Sequence, residues 1–322
     1  MWRGKSGFST TDSCGNEGVT AEQYCMNVVK EFDYDNYLCG LLHPKEARRG
    51  YFAIRAFNCE VAKIKDQVHG NAMTGAIRFQ WWHDQIESVY HGKGASSEHP
   101  LVRELSHVVE AHGLTKRLFA RCIEARHVDL TLQRVETLDD LEDYAEGAHS
   151  SILYLLLQVL GVQSRTADYV ASHVGVCSGL ATLLRGTAFH ASKGAIYIPR
   201  EIAGRVNLVD HVLIKGPQTE SEAKALQEAV FDVAAQAHGH LDKARLLLSG
   251  QETVSDTSDG TGEAEPVPSA AIYALMPAVR ASMLLEDLRS TNFNPFDAKI
   301  IGDRPALMYQ IKLLKTITFK TF

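Results

Sequence analysis

Carboxylates four residues apart on a helix share one face, and two such segments facing each other can hold magnesium and, through it, a diphosphate. One run in this chain has that spacing literally: Asp139-Asp140-Leu141-Glu142-Asp143 matches the pattern DDxxD. It stands directly behind Thr137, where acids favour the positive end of a helix dipole, and it has no facing acidic partner in sequence order. We read it as a capped helix start. A second segment, AFNCEVAKIKD (residues 56–66), has the length and spacing of a helix that elsewhere holds metal-bound diphosphate, yet it carries lysines, Lys63 and Lys65, ahead of its final Asp66. Histidines are the other candidates. The reference pKa of histidine lies near neutrality, but His190 has no partner beside it in sequence, and a lone histidine of this kind is read as structural. His238 and His240 are two apart on a predicted helix, so their rings point to different faces and do not share a metal.

The elements that must position these residues are helical nearly throughout. Thr20 with Gln23 opens a first helix, and His43-Pro44 starts another. Within it Ile54, Phe57, Val61 and Ile64 recur at steps of three and four. Phe79, Trp82, Ile86 and Val89 repeat the pattern, which leaves Trp81 off the stripe as a candidate for membrane or partner contact. After Thr219 and Glu222 a long seam runs through Leu226, Val230, Val233, Ala237, Leu241, Ala244 and Leu248. Strand signals are scarce. The expected fold class is all-α, with residues 1–20 a tail or transit-peptide remnant and residues 21–322 one domain. Residues 249–269, rich in Gly, Ser, Thr and acids, are expected to be a mobile loop.

Three segments in order, AFNCEVAKIKD, IRFQWWHDQIESVYHGK (77–93) and GLATLLRGTAFHASKGAIYIPREI (179–202), resemble the squalene/phytoene synthase family. The resemblance implies an isoprenoid-synthase-like helical bundle around a central cavity, in which two aspartate-rich segments bind magnesium ions and condense isoprenoid diphosphates. Carried over by position, the first aspartate pair falls on Ala62 and Lys63 and the last on Asp66. The second motif falls on Leu184-Arg185-Gly186-Thr187-Ala188-Phe189-His190, so its acidic positions have become Gly186, Phe189 and His190. Arg185, Gly194, Tyr197 and Pro199 match. A lysine about 5 Å from a divalent cation opposes it by about 6–7 kcal/mol at an effective dielectric of about 20. The expectation is therefore no metal, no cofactor and no synthase activity, with the interior partly filled by side chains such as Phe189. Lys63, Lys65 and Arg185 are candidates for holding an anion or a lipid head group without metal.

The altered first motif, together with EGAHSSILYLLLQVLG (146–161) and LLEDLRSTNFNPFD (284–297), is similar to the non-catalytic mitochondrial branch of that family. This implies a matrix protein, peripheral to the inner membrane, that partners complex I subunits or other assembly factors while complex I is built. The alternatives are a magnesium-dependent head-to-head prenyltransferase and an isoprenoid or anionic-lipid binding protein.

Composition narrows the field further. The 322 residues carry a net charge of −6 with no basic stripe, which argues against nucleic acid. Cys14, Cys25, Cys39, Cys59, Cys122 and Cys177 form no CxxC pair and suit a reducing compartment. The most apolar run, residues 151–162, is too short to span a bilayer and reads as a core helix. The C-terminal segment KLLKTITFKTF interleaves lysines with apolar residues; it is read either as a membrane-facing element or as the closing helix of the bundle.

Overall fold

The computed structural model describes residues 19–68, 70–252, 266–302 and 305–322. The expected N-terminal tail up to residue 18, Cys14 and most of the acidic loop lie outside the described residues.

The chain begins with α1 (Ala21–Phe32), capped by the Thr20 side chain, and α2 (Tyr34–Leu42). The next helix, α3 (Lys45–Gln67), is the centre of one half of the bundle: Ile54, Phe57, Val61 and Ile64 are all buried, as their spacing requires. Around it pack α4 (Ala72–Tyr90), α5 (Pro100–His112) and α6 (Lys116–Thr131). Trp82 of α4 is buried against Phe57 while Trp81 is exposed, the division expected from the stripe.

α7 (Leu138–Ala145) opens with a complete capping box: the Thr137 hydroxyl accepts from the Asp140 amide and the Asp140 carboxylate accepts from the Thr137 amide. The literal DDxxD run is thus a helix start. A single π-helical turn, Glu146–Ser150, joins α7 to the buried α8 (Ser151–Val159). Its first residue is held by Tyr154, Ser172 and Arg121, which reach the Glu146 carboxylate at 2.7, 2.9 and 3.5 Å. Its last residue lies against Gly175 so closely that a β-carbon there would come within 2.2 Å of the Ser150 hydroxyl oxygen and 2.5 Å of its Cα.

Gly175 belongs to α9 (Arg165–Arg185), which is followed by α10 (Thr187–Ser192), α11 (Arg200–Arg205) and α12 (Asp210–Lys215). The seam of α13 (Glu220–Ser249) packs along α9, and its Thr219–Glu222 start is again a full capping box. The chain closes with α14 (Ala271–Leu275), α15 (Pro277–Ser290), α16 (Ala298–Ile301) and α17 (Ala306–Phe319). Among the described residues there is no strand, only an isolated parallel bridge between Arg134 and Ile196. Buried side chains form one continuous cluster from Cys25 to Leu313, including five cysteines with free thiols. Burial pushes the Cys39 and Cys59 thiols up to about 12, so they act as small apolar groups.

Candidate functional site

The two motif segments lie on α3 and at the end of α9, and the space beside them is occupied by an internal ion cluster. The Lys65 ammonium donates to the Asp129 backbone carbonyl at 2.7 Å, to the Asp129 carboxylate at 2.9 Å and to the Tyr197 hydroxyl at 3.0 Å. The Tyr197 hydroxyl in turn lies 2.8 and 2.9 Å from the two carboxylate oxygens. An ammonium has three N–H groups, and all three are used. Asp129 and Tyr197 are both buried. Burial, then the neighbouring Asp129 charge, holds the Tyr197 phenol well above its ordinary pKa, so it stays protonated and donates.

Local sequence sets each member in place. Asp129 sits in the last turn of α6, one turn after Arg126. The buried Arg126 guanidinium donates to the Asn58 side-chain oxygen of α3 at 2.7 Å. Tyr197 lies on the connection after α10, which turns at Gly194 with a backbone φ of +81°, a conformation glycine adopts without strain. The Arg134–Ile196 bridge then pins that connection, with the Ile196 amide donating to the Gln133 carbonyl at 2.8 Å.

The second motif does not continue as one helix. α9 stops at Arg185, with Gly186 as its C-cap, and α10 starts afresh. A β-carbon on Gly186 would fall 2.5 Å from the His190 ring nitrogen, so the ring occupies the space an acidic side chain would need. His190 packs edge-on against Tyr197 at 4.9 Å between centroids. Burial lowers its pKa, and Lys65 adds to that while Asp66 opposes it; His190 is a neutral packing residue.

Phe189 corrects one expectation. It does not fill the interior: it is 38% exposed, and the Lys193 ammonium lies 4.4 Å from its ring centroid. The break at Gly186 turns it outward. The candidate anion ligands also diverge. Lys63 is directed to Glu60 at 2.9 Å and to the Phe32 ring at 3.8 Å, Lys65 points inward with no N–H left for an external anion, and Arg185 is exposed. Asp66 pairs with Lys193 at 2.9 Å, both exposed, a contact that contributes little. Ala62 is partly buried and offers no ligand atom.

Magnesium, which the family resemblance brings with it, needs several oxygen ligands. Around the cluster stand two fixed cations, Lys65 and Arg126, and one buried carboxylate already bonded to Lys65 and Tyr197. These residues do not fit the ion. Among the described residues no three His, Cys, Asp or Glu gather at metal-binding distance. His238 pairs with Asp242, while His240 faces His173 at 2.9 Å and Glu142 at 3.3 Å, on separate faces as their spacing requires. The sequence reading missed Asp129, Arg126 and Tyr197 as a set. Tyr197 was noted only as a motif position, and no local pattern links it to an aspartate 68 residues away.

The sequence matches the squalene/phytoene synthase model over residues 29–308, and the chain belongs to that family. The fold agrees: a crystal structure of a dehydrosqualene synthase superposes with a TM-score of 0.74 over 93% of this chain and 96% of that one, at 19% identity. Within the family, the chain is 35% identical over 240 residues to the bovine (Bos taurus) protein named NADH dehydrogenase (ubiquinone) complex I, assembly factor 6, covering 74% of this chain and 70% of that one. It is 32% identical over 318 residues to the Dictyostelium discoideum homolog of that factor, covering 98% and 82%.

Proposed function

We propose that this chain is a non-enzymatic assembly factor for mitochondrial respiratory complex I, a docking scaffold on a degenerate prenyltransferase fold. It works in the matrix at the surface of the inner membrane and engages complex I subunits or other assembly factors through its helical exterior. Residues 21–322 act as one domain, with the acidic loop at 249–269. Support for the class of function comes from the names of the relatives and from the extent of the match, nearly the whole chain in the Dictyostelium case. For the location, among the described residues no helix is long and apolar enough to cross a membrane, which suits a peripheral protein.

The observation that carries the non-enzymatic reading is the Lys65–Asp129–Tyr197 cluster. Departure of a diphosphate requires divalent cations to take up the developing charge. Here a side-chain cation is built into the protein and is neutralised by a buried carboxylate, so this cluster offers magnesium no free carboxylate. The test is depletion of the protein in its own cells and re-expression, read on native gels of complex I. Wild type and Asp66→Asn, which removes the last carboxylate of the first motif, should restore assembly equally. Failure of a folded Asp66→Asn protein to restore it would return the chain to the enzymes.

A further inference from the structure

The terminal helix α17 is apolar on both sides. Tyr309, Leu313 and Thr316 are buried against the bundle, and the Tyr309 hydroxyl meets the Cys39 sulfur at 3.1 Å. On the opposite side Leu307, Ile311 and Leu314 follow one another at steps of four and three, with Met308 and Phe319 beside them. These five side chains are between 41% and 70% exposed. A contiguous outward apolar face on a closing helix marks a surface that something covers.

Charge identifies the covering medium. Residues 305–322 contain no aspartate or glutamate, while Lys312, Lys315 and Lys320 lie among the apolar positions. Lys312 reaches Glu286 at 3.1 Å and Lys320 lies 5.3 Å from the Tyr273 ring centroid. Lys315 is exposed and has no ion-pair partner among the described residues. Along this flank a groove of about 360 Å³ opens between α13, α15 and α17, lined by Arg245, Lys312 and Lys315, with Glu286 as its one acid. Arg245 is fixed there by bonds to the Phe322 carbonyl at 2.8 Å and to Asp242 at 3.2 Å.

We propose that α17 seats the protein on an anionic phospholipid surface, its outward apolar residues entering the acyl boundary and Lys315, Lys312 and Arg245 meeting the lipid phosphates. A helix of 14 residues, about 21 Å long, is suited to lie flat in the interface and too short to cross it. The remainder of a chain with net charge −6 is repelled by such a surface, so the local basic face also sets orientation. A second copy fits poorly, because a two-fold contact through this face would pair two helices that both carry lysines and no acid. The inference deepens the proposed function by naming the surface on which the factor stands.

Flotation of the purified chain tests it, using vesicles of phosphatidylcholine alone and of phosphatidylcholine with phosphatidylglycerol. Wild type should float with the anionic vesicles and not with the neutral ones, and added salt should weaken the binding. Leu307→Ser/Ile311→Ser/Leu314→Ser and, separately, Lys315→Glu should each lower the bound fraction at least about tenfold. Met73→Ser/Ile77→Ser on α4, which removes other exposed apolar residues, should float as wild type does. Should the triple variant melt early, Lys315→Glu alone carries the comparison. Absence of flotation, or equal flotation of the α17 variants, overturns the proposal. So does a wild-type dimer in solution that the α17 variants convert to monomer, since the face then belongs to a second copy. If flotation fails while re-expression still restores complex I, the membrane seat is wrong and the assembly function stands.

Discussion

The Lys65 ammonium grips Asp129 twice, at its carboxylate (2.9 Å) and at its backbone carbonyl (2.7 Å), and so ties the first-motif helix to the end of α6. The carboxylate is almost wholly buried, and removing the cation bonded to it leaves a charge supported by the Tyr197 hydroxyl and the field of the neighbouring Arg126, with no direct ion pair. Lys65→Met should therefore lower unfolding free energy by about 2–4 kcal/mol in urea titrations. Lys65→Met/Asp129→Asn should lose less than the sum of the two single changes. Additive losses would mean that the two groups are not coupled.

Gly186 tests whether the second motif has room for a side chain. Its backbone φ of −82° is ordinary, so any cost of Gly186→Ala comes from the His190 ring. The substitution should cost about 1–3 kcal/mol of stability, and Gly186→Ala/His190→Ala should recover part of that loss. Equal losses with and without His190 would assign the cost elsewhere.

At Gly175 the obstacle is backbone. A new β-carbon would meet the Cα and amide nitrogen of Ser150 at 2.5 and 2.7 Å, and neither atom can swing away as a side chain would. Gly175→Ala should cost about 3 kcal/mol or more, or prevent accumulation of folded protein. A melting temperature equal to that of wild type would mean that the π-helical turn yields.

Acid should destabilise the fold well above the carboxylate range. Burial pulls His43 from 6.5 to about 4 and His149 to about 3. The unfolded chain takes up these protons near pH 6.5, whereas the folded chain resists until about 4. More protons are thus bound in the unfolded state across that window, and stability falls as pH falls. Urea midpoints measured from about pH 7 down to about pH 4 should decline, and His149→Leu should flatten the decline. An unchanged slope in that variant would remove His149 from the account.

Magnesium and pyrophosphate, added together, should leave the melting temperature where each alone leaves it. A ligand present at about a hundred times its Kd would stabilise the fold by about 2.7 kcal/mol, which thermal melts resolve. A joint shift of that size would contradict the mismatch between these residues and a metal cluster.

Much of the architecture could be read from local pattern. The stripe through Ile54, Phe57, Val61 and Ile64 and the seam of α13 from Leu226 to Ala244 are buried as their spacing requires, with Leu247 rather than Leu248 buried at its end, and the two capping boxes start helices where Thr137 and Thr219 stand. What escaped was non-local or geometric. Lys65 finds partners 64 and 132 residues away, which no window along the chain connects. Phe189 was expected inside because it replaces an acid of the second motif by position, whereas the helix caps at Gly186 and a new one starts at Thr187, with Phe189 exposed on it. The π-helical turn at Glu146–Ser150 inserts a residue without altering the apolar character of its surroundings, so hydrophobic spacing does not betray it.

The buried thiols have a use beyond filling space. Cys25, Cys39, Cys59, Cys122 and Cys177 are sealed inside, and burial suppresses the thiolate that alkylating reagents attack. With Cys14 changed to serine, each becomes a clock for the opening of its own neighbourhood: Cys39 for the joint between α2 and α17, Cys122 for the middle of α6, Cys177 for the contact of α9 with α13. Mass spectrometry of slowly labelled protein would then rank which parts of the bundle breathe first.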